Sequence, residues 1–470
     1  MVNYGFVIDN RKCIGCHACT VACKSEHDVP IGVNRTHVKY IEKGTYPDVT
    51  REFSVHRCNH CEDSPCTTIC PTTALFTRED GIVDFDDDRC IGCKSCMQAC
   101  PYDALYIDPN KGTAAKCNYC AHRIEHSYEP SCVVVCPVEA IISGDLDDPN
   151  SSISGYLNEH ETIVRKPESG AKPNVFYVET SEDSLDPHAT ERSGEYLWTD
   201  QAAGVGHFAK YAEQRSGAAD THSMIVQLAL EKKAKAAAPR DRAIIHDVMS
   251  RLEEEAGKPK RSYDQPSKGV LWGWEVSAYV VTKAIATGTY MLAMALMLSG
   301  MLEMTDGMWW RLVIGCTAFL GLTGVLLILD LDRPERFVYV MLRPNWDSWL
   351  VKGAYLLGGF GGVLACSGAV LLFGLDRIYL EYLAYAGVPL ALLTGVYTAW
   401  LLKQARGRSW SEDGLLEAKM IFEMVVVGVG GVFLMASPGI LSMLIFAILM
   451  AVVASHAHGT VIKPQLETLH

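Results

Sequence analysis

The hydrophobic pattern divides the chain in two. From about residue 270 onward, apolar residues run in six stretches near 273–301, 309–329, 349–373, 379–402, 415–436 and 439–456. Each holds the roughly 20 apolar residues that a helix needs to cross a bilayer. Buried helices of a water-soluble core are shorter and keep a polar face. The last two runs are joined only by Ser437-Pro438-Gly439. Ahead of residue 265 the apolar segments are short and β-branched, as in Gly81-Ile82-Val83-Asp84-Phe85 and Ala104-Leu105-Tyr106-Ile107. These predict small strands between polar loops. Between the halves, 181–268 reads as a polar helical linker opened by Ser181-Glu182-Asp183-Ser184. Helical periodicity with charged faces recurs at 224–235 and 244–255, broken by Ala236-Ala237-Ala238-Pro239.

Composition sharpens this division. The overall 49% of hydrophobic residues averages two unlike halves, and 16 of the 18 cysteines precede residue 265. The net charge of −13 argues against a nucleic-acid partner, because phosphate binding needs a basic footprint. Disulfide scaffolds are small and follow an export signal. The opening Met1-Val2-Asn3-Tyr4-Gly5-Phe6-Val7-Ile8-Asp9 has no basic n-region, no apolar h-region and no twin arginine. Metal binding is the better reading of the cysteines.

Their spacing specifies the chemistry. The first motif is Cys13-x2-Cys16-x2-Cys19-x3-Cys23, and the third is Cys90-x2-Cys93-x2-Cys96-x3-Cys100 followed by Pro101. The second is Cys58-x2-Cys61-x4-Cys66-x3-Cys70 before Pro71; the fourth places eleven residues between the Cys117-x2-Cys120 and Cys132-x3-Cys136 pairs. Three thiolates close in sequence wrap one face of a cubane, and the fourth, carried off by a short helix, serves another cluster. Four complete quartets imply four 4Fe–4S clusters. Gly15 and Gly92 fit loops that need unusual backbone angles. Zinc ribbons also use Cx2C pairs, but not these longer runs. The predicted fold is an α+β ferredoxin-like domain of duplicated two-cluster modules, held together largely by its clusters, then an all-α transmembrane bundle of about six spans.

Residues 1–180 resemble the four-cluster subunit of the dimethyl sulfoxide/polysulfide reductase superfamily. The resemblance rests on the sixteen cysteines, the insert between Cys120 and Cys132, and Gly144-Asp145-Leu146-Asp147-Asp148-Pro149-Asn150. It implies that Cys13, Cys16, Cys19 and Cys136 hold one cluster, and Cys117, Cys120, Cys132 and Cys23 a second. Cys58, Cys61, Cys66 and Cys100 would hold a third, and Cys90, Cys93, Cys96 and Cys70 the fourth.

Thirteen Lys and Arg lie near one set of span ends, against Arg311 and Arg377 at the other. That bias predicts both termini, and the cluster domain, in the cytoplasm. Residues 1–180 carry 17 Lys/Arg and 26 Asp/Glu, so some loop arginines could instead serve to dock that acidic domain. Haem b needs axial histidines from facing helices. No histidine occurs from 270 to 455, and His456 and His458 close the last apolar run. The expected electron carrier in the membrane is therefore quinone, with no haem. Within the expected membrane domain 269–470, residues 270 to about 436 resemble the NrfD-type anchor of polysulfide reductase. The resemblance is carried by Leu271-Trp272-Gly273-Trp274-Glu275, by Asp330-Leu331-Asp332-Arg333-Pro334-Glu335-Arg336-Phe337, by Arg343-Pro344-Asn345-Trp346-Asp347-Ser348-Trp349 and by Leu401-Leu402-Lys403-Gln404-Ala405-Arg406-Gly407-Arg408. It implies exchange of electrons with menaquinone or ubiquinone.

Trp274, Glu275, Tyr279, Asp330, Arg333 and Arg336 are the candidate quinone-site residues. Glu275, Tyr279 and Lys283 form one helical stripe, and ionisable groups inside a membrane face the bundle interior. Glu423 reads either as a functional carboxylate or as the i, i+4 partner of Lys419. Residues 330–336 read either as part of the site or as a docking loop. Trp272, Trp274, Trp309 and Trp310 read as interfacial belt residues, and Cys316 and Cys366 as small packing residues. The chain reads as fused electron-transfer and anchor subunits of a respiratory oxidoreductase of the prokaryotic cell membrane, with a catalytic partner of molybdopterin type. The alternatives are an electron link for a hydrogenase-type complex and a redox-driven ion-translocating module.

Overall fold

The computed structural model describes residues 2–45, 48–186, 190–192, 258–265, 268 and 270–466. The helical segments expected at 224–235 and 244–255 lie outside the described residues. The N-terminal half is built on β1 (Tyr4–Asp9), whose Phe6, Val7 and Ile8 are fully buried. β1 is followed by α1 (Ala18–Glu26) and the long hairpin β2 (His37–Thr45) and β3 (Asp48–His56). Next come α2 (Pro65–Ile69), the hairpin β4 (Leu75–Thr77) and β5 (Val83–Phe85), α3 (Ser95–Ala99), and the hairpin β6 (Leu105–Ile107) and β7 (Ala114–Lys116). The two short strands anticipated from β-branched runs are β5 and β6.

The chain then folds back. α4 (Ala121–Ile124) and α5 (Ser131–Val134) precede β8 (Ile141–Asp145), which pairs antiparallel with β1. After α6 (Ser152–Glu159) and β9 (Thr162–Ile163), β10 (Val175–Val178) pairs parallel with the other edge of β1. The sheet order is β8-β1-β10-β9. This return brings the fourth cysteine motif next to the first. α7 (Glu182–Leu185) and β11 (Glu191–Arg192) follow, and β12 (Lys260–Tyr263) bonds to both β11 and β2. Both ends of the segment expected as a linker therefore attach to the ferredoxin-type half.

Among the described residues, six helices are long and apolar enough to cross a membrane: α8 (Trp274–Leu298), α9 (Asp306–Leu329), α11 (Trp349–Leu372), α12 (Ile378–Gln404), α13 (Leu416–Ala436) and α14 (Ile440–Leu466). The short α10 (Tyr339–Leu342) sits between α9 and α11. α14 runs about ten residues past the end of its apolar run, so His456 and His458 are inside the helix rather than at its end. α8 is the most buried of the six. It crosses α13 with backbone in near contact: a Cβ at Gly288 would lie 2.0 Å from Met424 O, and one at Gly428 2.6 Å from Gly288 O. Small residues permit this approach where apolar burial alone gives helices no reason to associate.

Candidate functional site

The cysteine loops repeat one conformation. Gly15 and Gly92 have φ of 68° and 69°, as their positions inside the Cx2C loops predicted. The equivalent position is His60 in the second motif (φ 43°) and Tyr119 in the fourth (φ 61°). Left-handed backbone at a bulky residue is costly and persists where the surroundings impose it. Both side chains are fully buried, and Tyr119 donates to Gly5 O at 2.6 Å. Sequence reasoning missed this equivalence because only glycine advertises such a backbone.

The fourth cysteine of each motif crosses over. Cys70 lies among Cys90, Cys93 and Cys96. Cys100 lies among Cys58, Cys61 and Cys66. Cys136 is beside Cys13, and Cys23 is beside Cys117, Cys120 and Cys132. The short helices explain this: α2 and α3 each carry the third cysteine and deliver the fourth at an extended C-cap, away from its own loop. None of the 18 cysteines is in a disulfide. Among the described residues, no three His, Cys, Asp or Glu side chains converge as around a single ion.

The surroundings fit a bound cluster. Burial and neighbouring thiols push Cys19, Cys23 and Cys93 up to about 12, so these groups need a cation to become thiolates. Backbone N–H groups donate to sulfur: Ala104 to Cys100 at 3.5 Å, Ala114 to Cys90 at 3.3 Å and Ala140 to Cys136 at 3.2 Å. Arg57, almost wholly buried, donates from Nη1 to Cys132 Sγ at 3.1 Å, while its Nε and Nη2 have no partner among protein atoms. Buried donors are rarely left unpaired, and cluster sulfides would satisfy these.

The two halves meet through backbone carbonyls of the cysteine loops. Arg336 donates to Asp87 O at 2.6 Å and Cys90 O at 3.1 Å. Asn345 donates to Cys70 O at 2.7 Å, Ser348 to Ile69 O at 2.7 Å and Arg333 to Lys111 O at 2.6 Å. Lys94 reaches Asp332 at 3.3 Å, and Arg408 donates to Gln98 at 2.7 Å. Residues 330–336 are thus a docking loop. At the centre, the Trp272 indole donates to Cys93 O at 3.1 Å. Trp272 is 4% exposed and stacks on Trp410, so it is no belt residue; neither is the equally buried Trp309. Trp274, by contrast, is 64% exposed.

Behind Trp272 lies a cavity of about 180 Å³ lined by Cys93, Tyr279, Asp330, Tyr397 and Leu401 among others. Of the candidate quinone residues, the structure brings Tyr279 and Asp330 to this cavity. Trp274, Glu275, Arg333 and Arg336 do not line it. Glu275 acts on Asp330 electrostatically, and the two arginines grip the cluster domain. Burial pushes the Asp330 carboxyl up to about 7, Lys94 opposing and Glu275 and Asp332 reinforcing. Sequence reasoning missed Trp272 and Tyr397. Deeper in the bundle, Lys283 hydrogen-bonds Thr398 and lies 4.4 Å from the Tyr397 ring centroid. Glu423 does not pair with Lys419, which bridges to Asp413; it bonds His456 at 2.6 Å instead. The longer α14 supplies that histidine.

Comparison with known proteins agrees with both halves. Residues 49–146 match the model of the 4Fe-4S dicluster domain, and residues 264–438 that of polysulphide reductase, NrfD. The sequence is 37% identical to a putative iron-sulfur subunit of dimethyl sulfoxide reductase from Halobacterium salinarum, over 47% of its own length and 93% of that protein. It is 43% identical to one of the polysulfide reductase polypeptides of Wolinella succinogenes, over 37% of its own length and 93% of that polypeptide. The protein belongs to this family of iron–sulfur subunits. A component of the tetrathionate reductase of Salmonella typhimurium is a further relative, 45% identical over 37% of this sequence and 72% of that component. This family member is an electron-transfer subunit whose 4Fe–4S-binding ferredoxin-type domain is fused to a multi-pass NrfD membrane domain.

Proposed function

We propose that this subunit carries four 4Fe–4S clusters and relays electrons between membrane quinone or quinol and a catalytic oxidoreductase of molybdopterin type. The ligand sets are Cys13, Cys16, Cys19 and Cys136; Cys117, Cys120, Cys132 and Cys23; Cys58, Cys61, Cys66 and Cys100; and Cys90, Cys93, Cys96 and Cys70. Bound clusters supply one-electron steps; the protein fixes their order and surroundings. The domains are 1–180, a connecting segment 181–268 and the membrane half 269–470. No haem enters this reading, since His456 and His458 share one helix.

The observation that carries the proposal is that the Cys90 quartet and the Tyr279–Asp330 cavity share a wall, with Trp272 bonded to Cys93 O at 3.1 Å. A quinone head group there meets a phenol and a carboxyl, the partners that two-electron, two-proton chemistry requires. Elsewhere on the cluster domain Cys16 is exposed, and so are the apolar side chains of Ile14, Val21, Val134 and Tyr128. That surface suits the catalytic partner, because exposed apolar patches mark association sites. The cluster domain belongs on the cytoplasmic side, where the basic loop ends gather.

The test uses the full chain in proteoliposomes containing menaquinone or ubiquinone, with reduced viologen feeding the clusters. Tyr279→Phe and Asp330→Asn should slow quinone reduction at least tenfold while cluster reduction by the dye is unchanged. Full quinone activity in both variants would put the site elsewhere.

A further inference from the structure

Quinone chemistry at the Tyr279–Asp330 cavity needs protons as well as electrons, and the bundle holds buried groups that the electron path does not use. Lys283, fully buried at mid-helix in α8, bonds the Thr398 hydroxyl on α12 and lies against Tyr397 and Tyr279, both lining residues. Glu423 lies on α13 next to Met424, whose carbonyl packs against Gly288 of α8, and it acts electrostatically on Lys283. It is 2% exposed; one oxygen bonds His456 Nδ1 at 2.6 Å and the other is buried with no hydrogen-bond partner. His456 is half exposed and lines a separate polar cleft of about 580 Å³ with Ser409, Asp413, Lys419 and Lys463. The cleft lies at the ferredoxin-facing end of the bundle, beside Trp410 and one residue from Gln465, which accepts from Gln98 at 2.7 Å.

A structural role alone accounts poorly for this set. Burying a carboxylate and an ammonium is expensive unless both are fully paired, yet Glu423 keeps one oxygen bare. Ionisable side chains inside membranes mark proton or substrate routes. Here the groups run from a wet cleft at one end to the quinone-facing wall at the other.

Resting on the quinone reading above, we infer that His456, Glu423 and Lys283 conduct protons between the cleft and the quinone cavity. Reduction of one quinone takes two electrons, delivered singly from the cluster side, and two protons. An O–H bond forms at each carbonyl oxygen: Asp330 gives one proton and regains it from solvent on the docking side, and Tyr279 gives the other and is re-protonated through Lys283, Glu423 and His456 from water in the cleft. Oxidation of quinol runs each transfer in reverse. Because the cleft opens on the side where the clusters dock, electrons and protons enter from the same face. Turnover then moves no net charge across the membrane, and the relay serves chemistry rather than pumping.

The experiment uses the full chain in quinone-containing proteoliposomes, driven by reduced viologen, with a pH indicator outside and a potential-sensitive dye in the membrane. His456→Asn retains a hydrogen bond to Glu423 but carries no proton; Glu423→Gln removes the acid. Both should slow quinone reduction at least tenfold, with cluster spectra and dye-driven cluster reduction unchanged. His456→Ala should be slowed likewise and recover with added imidazole, which the cleft admits. The wild type should take up protons from outside and build no potential. A wild-type rate in His456→Asn would reduce the contact to a structural one and overturn the relay. Proton uptake from the lumen would overturn it too. If the wild-type protein reduces its clusters but no quinone, the quinone reading itself fails, an outcome distinct from a selective defect in the variants.

Discussion

Arg57 offers the sharpest quantitative test of the cluster environment. Its guanidinium is 2% exposed, packs 4.5 Å from the Phe6 ring centroid and donates to Cys132 Sγ at 3.1 Å. It acts electrostatically on Cys19 of one quartet and on Cys23 and Cys117 of the next. A permanent buried cation between two clusters favours their reduced, more negative forms. Arg57→Met keeps most of the volume and removes the charge. A hydrogen bond to a charged group contributes about 1.5–3 kcal/mol. If about half of that differs between oxidised and reduced states, the effect is roughly 0.8–1.5 kcal/mol, or about 30–60 mV for a one-electron couple. Redox titration of the intact protein followed by electron paramagnetic resonance should show the Cys13 and Cys117 clusters moving down by that amount. The Cys90 cluster should stay in place. An unchanged or raised potential, or an equal shift in all four clusters, would refute the reasoning.

Three further outcomes are expected. Cys70→Ser should abolish or convert the cluster held by Cys90, Cys93 and Cys96 while the Cys58 cluster keeps its spectrum, because Cys70 sits in the former quartet. In Gly407→Ala, the new methyl would stand 2.4 Å from Cys100 O and 2.7 Å from Gln98 O. Viologen-to-quinone electron transfer should therefore drop severalfold, with cluster content unchanged. A reporter active only outside the cytoplasm should be silent when fused after His470 and active when inserted near Asp306 or Asp376, which lie at the bundle end away from the clusters.

Much of this was legible because it is periodic. Six runs of apolar residues became six helices within a few residues of their expected limits, except that α14 continues through His456 to Leu466. Too few apolar residues mark that extension to announce it, yet Ala457 and Val461 pack in the core and Gln465 bonds the backbone of Trp272. The cysteine spacing likewise announced loops and short helices. It did not announce that His60 and Tyr119 take the conformation of Gly15 and Gly92, because that strain is imposed by packing. Nor did the i, i+4 rule find the partner of Glu423. That rule sees one helix, whereas the pairing to His456 joins α13 to α14.

The docking interface shows why the membrane half was the harder part to read. Most of its side chains bind carbonyl oxygens, those of Ile69, Cys70, Asp87, Cys90, Cys93 and Lys111, and only a few pairs such as Lys94–Asp332 and Arg408–Gln98 join side chain to side chain. Such contacts recognise the shape of the cysteine loops and leave no complementary pattern in the ferredoxin-type sequence. Joining both halves in one chain makes their docking intramolecular, which raises the concentration of each half around the other. An interface of half-buried arginines and backbone carbonyls, modest between separate subunits, can then keep Trp272 against Cys93 through every turnover. The arginines that bias the loop charge thus also have a mechanical duty, and Arg333, Arg336 and Arg408 owe their positions to the carbonyls and amide they bind.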